Sequence, residues 1–219
     1  RAHARQYLPA FEAHAPGLLE ELEGIAAGSG LSFDDVLTIN CRSEILYAAT
    51  VSRHAAIADA GEVLRAGARG ECSALALEAD RSPTGAALVA QNWDWLEVLG
   101  PGVVLLEVER DDGPNYVTLV EAGLLAKVTM NAHGLAIGIT TLASTLDGGI
   151  GGLPFHALIR RLADAPHVSG ALEWLAGVPR ATSGNYLLAG EHGAILNLET
   201  SPGSTANISA QASRTGALA

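Results

Sequence analysis

The stretch Arg69-Gly70-Glu71-Cys72-Ser73-Ala74-Leu75-Ala76-Leu77 divides the chain into two parts with different hydrophobic periods. Upstream of it, Leu18, Leu19, Leu22, Ile25 and Ala26 recur at helical spacing among Glu20, Glu21 and Glu23, which predicts an amphipathic helix. Gly28-Ser29-Gly30 ends that helix. Ser32 with Asp35 three residues on is a capping-box pattern for a second helix, whose apolar face carries Val36, Leu37, Ile39 and Leu46 toward Tyr47. Residues 52–70 are less regular, and their Gly, Ala and Arg content suits an exposed connector.

Downstream of the junction the apolar residues gather in short strand-like runs. These are 72–78, Gly85 to Asn92, Val103 to Glu109, Tyr116 to Glu121, Leu124 to Met130 and Leu135 to Thr141. Ser82-Pro83-Thr84-Gly85, Asp111-Asp112-Gly113-Pro114 and Asn131-Ala132-His133-Gly134 separate them, and turns this short predict antiparallel hairpins. Helices are expected at Pro154 to Ala163 and Ser169 to Leu175, with further strands at Asn185 to Ala189 and Ala194 to Glu199. Apolar runs long enough to fill both faces of a sheet, with the helices set apart, predict an α+β layered sandwich.

Composition narrows the function. The chain has 219 residues, of which 48% are apolar and 17% charged, and its net charge is -11. A core is well within its means. With no run of Lys or Arg, it lacks the basic footprint of a nucleic-acid binder. Cys41 and Cys72 are its two cysteines, too far apart for a metal-like spacing and too few for a disulfide framework. Both are expected to be reduced thiols, with no metal and no cofactor. No signal-peptide pattern is visible, and Gly, Asp or Glu interrupts every apolar run well short of the roughly 20 residues a bilayer needs. A cytoplasmic protein with no membrane partner is expected. The start at Arg1 and the end at Ala219 suggest part of a longer gene product.

A cut between Glu71 and Cys72 would give Cys72 a free α-amine beside its own thiol, placing nucleophile and base on one residue. Four segments carry a resemblance in this direction. Gly70-Glu71-Cys72-Ser73, Gln91-Asn92-Trp93-Asp94-Trp95, Glu121-Ala122-Gly123-Leu124-Leu125-Ala126-Lys127-Val128 and Asn131-Ala132-His133-Gly134-Leu135-Ala136 resemble, in order and spacing, the signatures of the acyl-coenzyme A:6-aminopenicillanic acid acyltransferase family. That family, peptidase family C45, lies among the N-terminal nucleophile hydrolases. The resemblance runs from about Leu18 to Pro202. It implies an αββα four-layer sandwich lacking its C-terminal portion, and self-cleavage into a helical leader, 1–71, and a nucleophile-bearing fragment, 72–219, that stay associated.

The resemblance also assigns roles. Cys72 would attack an amide or acyl thioester carbonyl to form an acyl-enzyme, with the α-amine, whose reference pKa is roughly 8, moving the proton. Asp94 would orient that amine, and Asn131 would contact the oxyanion or the substrate. Apart from the resemblance, Asn185 heads an apolar strand after Gly184, and its side-chain amide can donate to the oxyanion. Asn92 and Trp95 would line the acyl pocket. Family members often carry Gly before the nucleophile, where this chain has Glu71. The family's His-Thr-Asn-His segment has no counterpart, and Arg214 stands in a setting unlike the family's late Arg, so it takes no role.

Taken singly, these residues have plainer readings: Cys72 as a small buried hydrophobe, Asp94 as a strand-end turn residue, Asn131 as a hairpin former and Trp93 as a core aromatic. Two other functions remain open, an uncleaved non-catalytic binding or assembly module and a Cys-His hydrolase using His133 or His156. Gly148-Gly149-Ile150-Gly151-Gly152 lacks the Lys-Ser or Lys-Thr that follows in a phosphate loop. A flexible loop beside the site is expected there. The small-molecule partner is an acylated amine or acyl thioester, resolved by water or by an amine acceptor.

Overall fold

Ser32 opens its helix as the sequence predicts: its hydroxyl accepts from the Asp35 amide at 3.2 Å and donates to the Asp35 carboxylate at 2.6 Å. The computed structural model describes residues 1–46, 48, 72–94, 96–144, 146–148, 151–202 and 208–211. Tyr47, Glu71, Trp95, Gly149, Ile150, Arg214 and the connector 52–70 lie outside the described residues. The leader folds as α1 (Leu8–His14), α2 (Gly17–Ser29) and α3 (Phe33–Asn40), and residues 42–46 are helical again. Gly30, at φ 72°, stops α2 in the left-handed conformation that glycine adopts without strain.

The strand runs pair as a meander. A seven-stranded antiparallel sheet takes β3 (Val103–Val108), β4 (Tyr116–Glu121), β5 (Val128–Asn131), β6 (Leu135–Thr141), β7 (Gly184–Gly190), β8 (Ile195–Thr200) and β9 (Ile208–Gln211) in chain order. Between β6 and β7 the chain forms α4 (Phe155–Leu162) and α5 (Val168–Gly177). Leu135, Ile137, Ile139, Tyr186, Leu188 and Leu198 of the sheet share one core with the buried faces of α1 to α5. Helices from both halves of the chain therefore cover the same sheet face.

β1 (Ser73–Leu77) and β2 (Leu88–Asn92) form a separate antiparallel ribbon against β6 and β7. Its contact is polar at the centre. The Gln91 side chain accepts from the Ile139 amide at 2.7 Å and donates to the Ile139 carbonyl at 2.6 Å. Ribbon and sheet pack closely at Gly138, where a Cβ would stand at ordinary contact distance, 3.4 Å from Gln91 Oε1 and 3.6 Å from the Ala74 methyl. The described residues thus form a mixed α+β structure of helices, a large sheet and a ribbon, with Leu75, Leu77 and Leu88 exposed on the ribbon's outer face.

Two differences from the sequence expectation have local causes. The run Leu124 to Met130 pairs only from Val128, because the Leu125 amide donates to Asn40 Oδ1 and the Lys127 amide to Thr118 Oγ1. Side chains have taken donors that a ladder would use. β9 has a single large apolar residue, Ile208, and pairing along β8 supplies what its own sequence does not.

The leader is tied to the remainder by buried polar contacts as well as by core packing. Fully buried Asn40 also donates to the Gly123 carbonyl at 2.8 Å. Arg160, likewise buried, makes a two-pronged ion pair with Glu21 at 2.7 and 2.9 Å. No helix among the described residues is long and apolar enough to cross a membrane.

The downstream end of the glycine-rich segment is wedged against backbone. Gly152 has φ 133°, and a Cβ there would lie 2.5 Å from the Arg180 carbonyl carbon. Gly152→Ala is expected to destabilise the fold by about 2 kcal/mol or more. A lowered thermal midpoint in circular dichroism checks this, and an unchanged midpoint refutes it.

Candidate active site

The pairing of Ser73 with Asn92 fixes where the thiol sits. Cys72 directly precedes Ser73 and Trp93 directly follows Asn92, so both stand at the open end of the ribbon. Cys72 is a half-buried free thiol. Asn92 and Asp94 are exposed. Cys41, by contrast, is fully buried, and burial with the nearby Glu44 carboxylate pushes its thiol up. Of the two thiols, Cys72 is the one solvent and substrate can reach.

Beside Cys72 lies a charged cluster. The Lys127 ammonium sits 3.4 Å from the centroid of the Trp93 ring and 3.3 Å from Glu121 Oε2. Arg42, from the leader, donates to Glu121 Oε1 at 2.6 Å. Glu121 and Lys127 both have side chains less than one-tenth exposed. Burial pulls the Lys127 ammonium down to about 8, with Glu121 opposing and Cys72 adding a smaller attraction. Below that pH the protein holds a desolvated cation, which is a cost to folding. Such a cost is more often found at functional sites than in scaffolding.

Strand order separates Lys127 and Asn185 from Asn131. β5 and β6 are antiparallel, so Lys127, just ahead of β5, and Asn185, paired with Thr140 near the end of β6, lie at the same end of the sheet. The Lys127 ammonium interacts there with Cys72. Asn185 is buried, and its Oδ1 has no hydrogen-bond partner among the described residues. Asn131 lies at the far end of β5, roughly 13 Å along the strand from Lys127. Its amide donates to the Ala163 and Ala165 carbonyls, and its oxygen accepts from the His133 and Leu135 amides. Those four bonds build the hairpin and cap the end of α4, and the structure does not bring Asn131 to Cys72.

Neither histidine of the Cys-His reading is placed as a base. His133 is exposed on the turn at the Asn131 end. His156 is buried in α4, with Nδ1 3.1 Å from the Ala126 carbonyl, and burial beside Arg42 and Lys127 pushes it down to about 3. It is neutral at physiological pH and cannot take up a proton there. Among the described residues no group of His, Cys, Asp and Glu is placed to hold a metal ion.

Sequence reasoning passed over Lys127, Glu121 and Arg42 as site residues, although the first two stand inside one of the quoted segments. A signal was present. Lys127 is the sole lysine of a chain whose other basic side chains, histidines aside, are all arginine. The sequence also gave no sign of Glu44 and Asp147, a buried pair further into the helix layer. Glu44 Oε1 accepts from the Phe155 amide at 2.8 Å at the start of α4, while its other oxygen is buried without a hydrogen-bond partner among the described residues. Asp147 accepts from the Ser183 amide at 2.7 Å, just before β7.

Comparison with known proteins bears on this arrangement. A family model described as acyl-coenzyme A:6-aminopenicillanic acid acyl-transferase matches residues 81–218, more than half of the chain. Cys72 precedes the matched segment. The 40 kDa form of acyl-coenzyme A:6-aminopenicillanic-acid-acyltransferase from Emericella nidulans is 26% identical over 188 residues. That alignment covers 85% of this chain and 46% of the relative, so the chain spans about half the length of the curated relative it matches.

Glu44 gives the site's helix layer a pH dependence. Burial, the larger effect, and the neighbouring Asp147 charge raise its carboxyl from 4.5 to about 7. Between those values the folded chain holds a proton that the unfolded chain has released, so this contribution to stability is full below 4.5 and lost as pH rises through 7. Glu44→Gln keeps the acceptor for Phe155 and removes the titration. The variant's thermal midpoint minus that of the wild type should increase from pH 4.5 to 7 and then level off, the full effect being on the order of 3 kcal/mol. A pH-independent difference would contradict this.

Proposed function

The chain belongs to the acyl-coenzyme A:6-aminopenicillanic acid acyl-transferase family, and we propose that it is a self-cleaving enzyme that transfers acyl groups through Cys72. Its fold, in this reading, is the four-layer sandwich of the N-terminal nucleophile hydrolases, of which the helices, the large sheet and the ribbon are parts. The observation that carries the reading is the position of Cys72. It is an accessible thiol one residue before a strand, at the sheet end that holds buried Lys127, Glu121 and Asn185.

In the first step the Cys72 sulfur attacks the Glu71 carbonyl, and the peptide nitrogen leaves as the α-amine of Cys72. Water then hydrolyses the resulting thioester and frees the thiol. The leader remains in place through Asn40, Glu21, Arg42 and the shared core. In turnover the thiolate attacks the substrate carbonyl, and the side-chain amide of Asn185 donates to the oxyanion. The Cys72 α-ammonium, oriented by Asp94, gives its proton to the departing amine or thiolate. The amine form then removes a proton from water, for hydrolysis, or from an amine acceptor, for transfer. An amide or an acyl thioester fits this scheme as donor.

Self-cleavage can be tested by intact mass. Freshly purified full-length chain should yield two masses that break between Glu71 and Cys72, and Cys72→Ala should remain a single species. Thiol labelling of the cut protein should mark Cys72 and spare buried Cys41. A wild-type chain that stays whole under conditions where it is folded would instead favour the uncleaved binding module.

A further inference from the structure

A charged lysine in a buried setting is an expensive choice, and this chain makes it once. Every other basic side chain apart from histidine is arginine, including Arg42, which meets the same carboxylate. Arginine keeps its charge at any pH proteins meet and favours planar two-pronged pairing, whereas the lysine ammonium is a compact point charge that can be tuned. The seat given to Lys127 suits a point charge: the Trp93 face lies 3.4 Å below it and Glu121 Oε2 is 3.3 Å to its side. Trp93 directly follows Asn92, the partner of Ser73, so the cation on its ring lies beside the head of β1, next to Cys72.

We propose that Lys127 is the positioning residue of the nucleophile: held by Trp93 and Glu121, its ammonium stabilises the Cys72 thiolate electrostatically and exchanges no proton with substrate. The inference rests on the reading of Cys72 as the nucleophile and adds how that thiol is kept anionic. The charged and titratable groups around Lys127 are Glu121 on β4, Arg42 from the leader, Cys72 ahead of β1 and His156 on α4. His156 is neutral, and Glu121 is shared between Arg42 and Lys127. Lys127 is thus the cation coupled electrostatically to Cys72.

This coupling is reciprocal and can be read from both sides. On the thiol side, iodoacetamide alkylation of Cys72 in the full chain, followed by peptide mass across a pH series, reports the thiolate fraction. Lys127→Met should slow alkylation about tenfold at pH 7 and move its pH midpoint upward. Lys127→Arg should restore most of the rate. On the amine side, biosynthetic incorporation of lysine labelled with carbon-13 at Cε gives one resonance, because the chain has one lysine. Its pH midpoint should fall in Cys72→Ala relative to wild type, a measurement that does not require Lys127→Met to fold.

Unmoved midpoints on both sides would overturn the proposal. Intact mass on the same samples separates this result from the fate of the cleavage reading. Shifted midpoints in an uncut chain would uphold the coupling while sinking self-cleavage, and unshifted midpoints in a cut chain would do the reverse.

Discussion

The Glu121 carboxylate is one point at which the two halves of the chain are joined electrically, and the one nearest Cys72. One oxygen holds Arg42 of the leader, the other faces Lys127 ahead of β5, and the side chain is almost wholly out of water. A carboxylate so placed is tolerable only with a cation on each side. Both cations in turn need the backbone around them to be fixed. Arg42 follows α3, which Asn40 pins to Gly123 and Leu125, and Lys127 has its own amide tied to Thr118. The sheet end beside Cys72 is therefore built from leader and strands together, and neither half would hold it alone.

The same dependence seats residues 1–46 against the large sheet. The ties across the junction are of three kinds: hydrocarbon packed between α1–α3 and the large sheet, the Asn40 amide bridging α3 to the loop before β5, and ion pairs at Arg42–Glu121 and Arg160–Glu21. The first supplies most of the free energy. The others, each demanding a particular geometry, fix the position of the leader against the sheet.

Much of the architecture was legible because it follows from local rules. The Ser32 cap, the Gly30 stop, the short turns and the antiparallel meander all appear where composition and period put them. What was not legible depends on contacts between residues distant in sequence. Nothing near Leu124 shows that Asn40 will take the Leu125 amide and delay β5, and Ile208 alone does not announce a strand. The site divides in the same way. Cys72 and Asp94 were singled out because their neighbours resemble a family's motifs, and Asn185 because an Asn heading an apolar strand is a poor strand former. Asn131 was singled out on its motif too, yet its side chain is fully engaged in holding the hairpin and the end of α4. Arg42 and Lys127 become a pair only when the fold brings a leader residue to the strand edge.

Gln91 carries a last consequence. Its amide presents one donor and one acceptor to Ile139, so a side chain occupies the place that a neighbouring strand's backbone would take. Beside the packing of Ala74 on Gly138, the ribbon bearing Cys72 is thus hydrogen-bonded to the sheet through one side chain, a rivet rather than a seam. A seam spreads positional error over many rungs, whereas a rivet concentrates it. The seating of the Cys72 thiol on the sheet is therefore sensitive to the length of one glutamine, and Glu or Asn at that position, the first lacking the donor and the second a methylene, would loosen it even with every strand intact.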